Sequence, residues 1–340
     1  MCYAAHAPSP ETGPGGSCDT RSVPELPDVT VYVERIAERV QGSVLENVRF
    51  ASPFVLRTAV PPIRDAFGKR VLSVSRMAKR IVLALEGDLF LVIHLMVAGR
   101  FRWEAKGAKI PGKIGLAAFD FSTGTLILTE ASSKKRASIH LVVGEAAARA
   151  MDRGGLDVLG ATRDQFVEAM TRERHTLKRS MTDQSILSGI GNAYSDEILH
   201  AAKLSPLKMT TALDDEEYTR LFEATQRVLE AWTERLRQES KDKFPERVTA
   251  FRGDMAVHGR YGKPCPACGA KVQRIVYADN ETNYCASCQT GGKLLADRSL
   301  SRLLREDWPK TLEEMEESRP AVQRQANPAR STRPAPKKKA

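Results

Sequence analysis

No stretch of this 340-residue chain is apolar for long enough to cross a bilayer as a helix. The longest candidate, Leu89 to Gly99, is interrupted by His94 and falls far short of the roughly 20 residues a membrane span needs. Residues 1–22 are rich in Pro, Gly and Ser and lack the apolar centre of a secretion signal. Aromatic residues are scarce at 6%, yet 42% hydrophobic and 28% charged residues are ordinary for a globular chain and exclude wholesale disorder. Acids are missing from residues 319–340, which hold Arg319, Arg324, Arg330, Arg333, Lys337, Lys338 and Lys339 with four prolines. That tail carries 7 of the net +10 charges, cannot build a core and reads as disordered. The body is therefore close to neutral, and any polyanion site in it must be local. No internal repeat is present, and the length suggests two or three domains.

Cysteine is also sparse, with six residues in two groups. Cys2 and Cys18 lie in the irregular N-terminal segment, whereas Cys265, Cys268, Cys285 and Cys288 form two C-x2-C pairs sixteen residues apart. Each C-x2-C turn aims two sulfurs at one point, and an interval of about 15–20 residues suits a hairpin that returns the second pair. Pro264 and Gly269 flank the first turn as a tight knuckle requires. The pattern predicts one structural Zn2+.

Hydrophobic periodicity divides the rest. Asp28 opens a helical stretch with Val29, Val33, Ile36 and Val40 on one face and Gly42 as its stop. Residues 44 to about 145 read as strands, at Val71–Val74, Ile81–Leu85, Leu89–Leu95, Arg100–Trp103, Leu116–Phe121, Leu126–Thr129 and Ile139–Val143. One helix followed by many strands predicts a β-sandwich or barrel. Helical periods follow, at Asp164–Arg172, at Lys178–Leu187, after Gly191, and along a long face from Tyr218 to Leu236 beyond Asp214. The charged segment Gln238–Arg247 reads as a linker to the cysteine module. The expected organisation is multidomain α+β: an extension at 1–22, an N-terminal β-sandwich with a flanking helix at 23–147, a helical domain at 148–245, a zinc ribbon at 246–300, and an acidic helix with a basic tail at 301–340.

Two segments can carry chemistry. Ser185 to Glu197 contains Gly189-Ile190-Gly191-Asn192, a turn between helices whose free N–H groups would attract phosphate, with Asn192 as cap or phosphate donor. On spacing alone a plain helical hairpin fits equally well. Pro24-Glu25-Leu26-Pro27-Asp28 means little inside a chain. At a chain terminus it would be a nucleophile, because an α-amine has a pKa of about 7.7–8.0 against about 10.4 for lysine.

Together these segments resemble the formamidopyrimidine-DNA glycosylase / endonuclease VIII family of base-excision repair enzymes. The resemblance rests on residues 24–28, Arg76-Met-Ala-Lys79, His94-Leu-Met-Val-Ala-Gly99, Asp183 to Glu197 and the two cysteine knuckles. It implies a β-sandwich, a helix-two-turn-helix domain and a zinc ribbon. The implied activity is removal of oxidised or ring-opened bases from double-stranded damaged DNA, followed by strand cleavage through a Schiff base. Pro24 would be the nucleophile, Glu25 the proton donor to the opening sugar, and Lys79 the contact to the phosphate beside the lesion. Lys178 and Asn192 would grip backbone phosphates, and wedge side chains would fill the gap left by the flipped nucleotide. A monomer in the bacterial cytoplasm, associated with the nucleoid, is implied as well.

The sequence departs from the family pattern in places. Pro24 follows Val23 and residues 1–22, so its nitrogen is free only if synthesis starts at position 23. Asn280 stands where the zinc hairpin usually carries arginine, with Arg274 or Lys271 as substitutes. Val97, beside Met96, occupies the usual methionine position, and the loop holding Lys134, Lys135 and Arg136 lacks the usual phenylalanine. The segment between Lys243 and His258 is short for a loop covering a flipped purine. A non-catalytic zinc-ribbon relative that binds damaged DNA is the alternative function; a zinc-ribbon module of translation or transcription would leave Pro24, Glu25 and Lys79 unexplained.

Overall fold

The computed structural model describes residues 23–245, 252–277, 280–296 and 309–317. The expectations for residues 1–22 and for the basic tail at 319–340 lie outside these.

The first helix, α1 (Leu26–Val40), begins two residues before the expected Asp28, with Pro27 and Asp28 in its first turn. A missing N–H and a negative charge are both favoured there. Its Val29, Tyr32, Ile36 and Val40 are buried. Eight strands follow: β1 (Val44–Phe50), β2 (Lys69–Met77), β3 (Arg80–Leu85), β4 (Leu89–His94), β5 (Gly99–Glu104), β6 (Gly115–Phe121), β7 (Gly124–Glu130) and β8 (Ser138–Val143). They run in the order β5-β7-β6-β1-β2-β3-β4-β8. The β1–β2 ladder is short, with Val44 opposite Arg70 and Leu45 opposite Lys69, and the sheet folds over at this seam into two layers. Alternate side chains of the two layers, such as Phe101, Phe119, Phe121 and Leu128 against Ile81, Leu83, Leu91 and Leu141, share one core with Tyr32 and Ile36 of α1. This is the expected sandwich.

Strand β1 escaped the sequence reading for a physical reason. Its buried residues are Leu45 and Val48, three apart, because a bulge between Leu45 and Asn47 breaks the period of two.

After the five-residue α2 (Glu145–Arg149), the helical domain is built from α3 (Arg163–Thr171), α4 (Leu177–Thr182), α5 (Asn192–Ala201) and α6 (Asp215–Glu239) around a second core. Helix α4 stops five residues short of the expected Leu187. Asp183 takes an extended conformation, and its Oδ1 accepts both the N–H (2.9 Å) and the hydroxyl (2.7 Å) of Ser185, a local turn that competes with helix. Helix α6 starts with a capping box between Asp214 and Glu217. In the third unit a hairpin of β9 (Gln273–Tyr277) and β10 (Asn280–Tyr284) precedes the short α7 (Ala286–Thr290). A short acidic helix spans Leu312–Glu317.

The first two cores interlock. Leu26 of α1 is buried in the helical core. In the opposite direction Phe244, from the segment read as a linker, enters the sandwich core against Tyr32 at 5.9 Å and beneath the Arg39 guanidinium at 5.3 Å. Arg237 of α6 pairs with Glu34 of α1 at 2.7 Å.

Candidate active site and nucleic-acid interface

Strand register gathers the candidate residues of the sandwich at one end. Arg80 lies opposite His94, and His94 opposite Ser138. Gly99 lies opposite Glu130. The β2–β3 turn bearing Lys79, the β4–β5 turn bearing Met96 and Val97, and the β7–β8 loop bearing Lys135 and Arg136 therefore leave the sandwich together.

The same end meets helix α5. Glu25, only 2% exposed, directs its carboxylate at the start of that helix. Oε2 accepts the N–H groups of Gly191 (2.7 Å) and Tyr194 (3.2 Å), and Oε1 that of Ala193 (2.9 Å). The Gly-Ile-Gly-Asn turn thus binds an anion, as free N–H groups at a helix start should, but the anion is the protein's own Glu25. Gly191, not Asn192, is the N-cap of α5. A side chain at Gly191 would push these groups apart: a Cβ there would lie 2.4 Å from Lys79 Nζ and 2.6 Å from the Glu25 carboxyl carbon. An ammonium and a carboxylate are thereby brought to one point, one residue from the buried Pro24.

Electrostatics at this point are unusual. Burial lowers the Lys79 pKa against the opposing pull of Glu25 and Asp28, and the nearby Lys178 lowers it further. Asp28, fully buried, is pushed up to about 7, mainly by desolvation. Its Oδ2 accepts the Glu25 N–H at 2.8 Å while Oδ1 has no hydrogen-bond partner. Burial and the charges of Arg80 and Lys79 push His94 down to about 4, so this half-buried imidazole is neutral at ordinary pH. A cavity of about 100 Å³ lined by Lys79, Arg80, His94, Asp152, Arg153 and Gln184 opens beside it.

The remaining candidates divide into exposed and committed groups. Met96 sits in a left-handed conformation (φ +52°) at the tip of the β4–β5 turn, with Val97 next to it, and both are half-buried. Lys134, Lys135 and Arg136 are exposed on a loop pinned by Glu130, whose carboxylate accepts the N–H groups of Arg136 and Ala137 at 2.9 and 3.0 Å. Lys135 folds its ammonium back onto the Glu130 carbonyl. Lys178 spends its donors on Asn192 O (2.7 Å), Ser195 Oγ (2.8 Å) and Asp196 Oδ1 (2.5 Å), so a phosphate would have to displace one of them. The Asn192 amide donates to Glu281 O at 2.7 Å and thereby ties α5 to the zinc hairpin. Asn280 opens β10 opposite Tyr277. Arg274, its possible substitute, stacks on Tyr261 at 4.3 Å and pairs with Glu281 at 3.3 Å.

Sequence reasoning gave Asp196 no role. Its fully buried carboxylate joins Lys178, the His258 ring at 2.8 Å and the Asn283 N–H at 3.0 Å. Glu197 beside it accepts the N–H groups of Ala256, Val257 and His258 within 2.9 Å. The only signal was an Asp-Glu pair as the sole acids of the helix, and neither partner segment is adjacent in sequence.

The four cysteines converge, with their sulfurs within 4.8 Å of one another and none in a disulfide. A tetrahedral zinc site with bonds of about 2.3 Å sets sulfurs about 3.8 Å apart, and the sulfurs here, from 3.4 Å between Cys268 and Cys285 up to 4.8 Å, need only small shifts to meet it. The first knuckle closes through Gly269 N–H to Cys265 O (2.9 Å) and Cys265 N–H to Ala270 O (2.8 Å), with Gly269 at φ +77°. Donor set and geometry fit one structural zinc ion.

Comparison with known proteins agrees with this layout. The formamidopyrimidine-DNA glycosylase N-terminal domain matches residues 23–137, the formamidopyrimidine-DNA glycosylase H2TH domain 159–242, and the zinc finger found in FPG and IleRS 262–291. A formamidopyrimidine-DNA glycosylase of Heliobacterium modesticaldum is 31% identical over 277 residues, covering 78% of this chain and 100% of its own. The MutM (Fpg) structure from Thermus thermophilus superposes with a TM-score of 0.67 at 32% identity, covering 78% of this chain and 98% of that one. The Lactococcus lactis Fpg in complex with DNA containing an abasic site superposes at 0.70 with 23% identity, covering 78% and 99%, a likeness of fold. Since the three matched domains follow the order of the three packed units, and a relative is matched along its whole length, this chain belongs to the formamidopyrimidine-DNA glycosylase family.

Proposed function

We propose that the protein is a DNA glycosylase with AP-lyase activity that removes oxidised or ring-opened bases from double-stranded DNA, acting as a monomer. The observation that carries this reading is the convergence of Glu25 and Lys79 on Gly191, next to Pro24. In the proposed reaction the Pro24 amine attacks the sugar carbon bearing the damaged base. The attack leaves a proton on the Pro24 nitrogen; it passes to the Glu25 carboxylate and from there to the sugar ring oxygen as the ring opens and the base departs. The resulting iminium acidifies the C2′–H, whose loss expels the 3′ phosphate by β-elimination. Lys79 neutralises the phosphate beside the lesion. Met96 and Val97 are the wedge, and Lys135, Arg136, Lys178, Asn192 and the zinc hairpin around Asn280 position the DNA backbone.

The reaction needs a secondary amine at Pro24, so the active form must begin there. The match to the family's N-terminal domain beginning at residue 23 supports that start. The test is borohydride trapping on an oligonucleotide with an abasic site, using protein begun at Pro24 and protein begun at Met1. A covalent adduct from the Pro24 form alone is expected. Equal trapping of an unprocessed Met1 form would move the nucleophile to a lysine. Binding of the DNA by both forms with trapping by neither would leave a recognition protein without chemistry.

A further inference from the structure

A side chain that is neither a ligand nor part of the cysteine module reaches the zinc site. His200, in the last turn of α5, places Nε2 at 3.2 Å from Cys265 Sγ. Cys265 is buried at 2% exposure, and His200 is half-buried. A metal-bound thiolate keeps lone pairs that accept hydrogen bonds, and such outer contacts fix the ligand's orientation and draw charge from the sulfur. A second brace reaches the chain just beyond α5: Gln289 accepts the Cys285 N–H at 2.8 Å and donates to Leu204 O at 2.9 Å. The four-sulfur cluster is thus fastened to the end of α5 through one ligand side chain and to the chain just beyond it through one ligand backbone.

We propose that His200 is a positioning residue for the zinc centre, its Nε2–H donating to the Cys265 thiolate. The inference rests on the zinc site and not on the proposed catalysis. It gives the C-terminal end of α5 a hold on the metal cluster, while the N-terminal end of the same helix holds Glu25. A donor at this place slows attack on the zinc–sulfur bond, because protonating or displacing the thiolate first costs the hydrogen bond.

Two variants of the full chain separate the hydrogen bond from mere packing. In His200→Gln the amide nitrogen stands the same number of bonds from Cβ as Nε2 and can donate, whereas His200→Phe keeps a ring without the donor. Zinc transfer to a colorimetric chelator is expected to be about 10-fold faster or more in His200→Phe, and to stay within about 2-fold of the parent in His200→Gln. After replacement of zinc by cobalt, the sulfur-to-metal charge-transfer band should shift in His200→Phe and be restored in His200→Gln. Parent-like release and spectrum in both variants, or equal impairment in both, would overturn the proposal. If His200→Phe does not fold, the unsubstituted protein loaded with an NMR-active cadmium isotope decides. A scalar-coupled correlation between the His200 imidazole proton and the metal is expected, and its absence refutes the donor role.

Discussion

Gly191 has no side chain, yet two charged groups depend on it. A methyl group there would meet Lys79 Nζ at 2.4 Å and the Glu25 carboxyl at 2.6 Å. Gly191→Ala must therefore displace one or both. Overpacking of this kind costs about 1–3 kcal/mol of stability, whereas moving a reacting group by about an ångström costs roughly 100-fold in rate. The expected outcome is a protein that still melts cooperatively, a few degrees lower, but whose base release and borohydride adduct fall about 100-fold; unchanged base release would remove the pair from the proposed chemistry. Asp28 gives a pH signature. Its folded-state pKa of about 7 lies above the ordinary 3.8, so the folded protein holds this proton more tightly than the unfolded chain. Its contribution to stability is complete below about pH 4, falls as pH rises to about 7 by at most roughly 1.4 kcal/mol per unit, and is constant above. Asp28→Asn keeps an acceptor for the Glu25 N–H and should lack this decline. The melting temperature of the variant relative to the parent is expected to rise from pH 4 to 7 and then level off. At this scale the sequence was legible where a motif joined residue type to spacing, as in the four cysteines. It showed Asp28 only as the residue opening the first helix, because burial and an orphaned oxygen are properties of the packed site.

Among the elements, α5 does more than a DNA-contacting helix would. It caps Glu25 at one end, meets the zinc site at the other, and buries Asp196 and Glu197 between. Asp196 is shared by Lys178, His258 and Asn283, which come from α4, the approach to the zinc ribbon and β10. Removing one partner from a buried charged network strands the others, at a cost of about 3–5 kcal/mol. Asp196→Ala is therefore expected to lower stability by that amount in denaturant titration and to loosen the hairpin, read as faster amide exchange at Asn283. A loss under about 1 kcal/mol would show that the three partners re-pair without it. The G-x-G turn shows why such junctions stay hidden in sequence. Spacing left a phosphate-binding turn and a plain helical hairpin equally open, and what decides is Glu25, 166 positions away, whose carboxylate fills the turn. The bulge in β1 and the early stop of α4 were missed likewise, since each is a local hydrogen-bond or register event superimposed on the hydrophobic period.

Over the whole molecule, the sandwich and the helical core exchange Leu26 and Phe244, so they are expected to melt together, whereas the zinc unit has, among the described residues, a small apolar cluster of its own. That cluster is built around Val257, Val272 and the cysteines Cys265 and Cys285, so the metal supplies much of what a core would. Stripping zinc with a chelator should unfold the hairpin and release its holds on α5, the Asn192 amide to Glu281 and the Asn283 N–H to Asp196. The Glu25 cage of N–H groups belongs to α5 itself and survives. Zinc removal is thus expected to separate affinity from chemistry. The main melting transition should stay within a few degrees, and DNA affinity should drop steeply. Its salt dependence should become shallower by about 0.9 in log–log slope for each phosphate the protein no longer neutralises. Abasic DNA supplied well above the weakened dissociation constant should still be trapped by the Pro24-initiated form. If trapping vanishes even at saturating DNA, then α5 transmits the state of the zinc hairpin to Glu25, and the metal is part of the active-site framework as well as of the DNA grip.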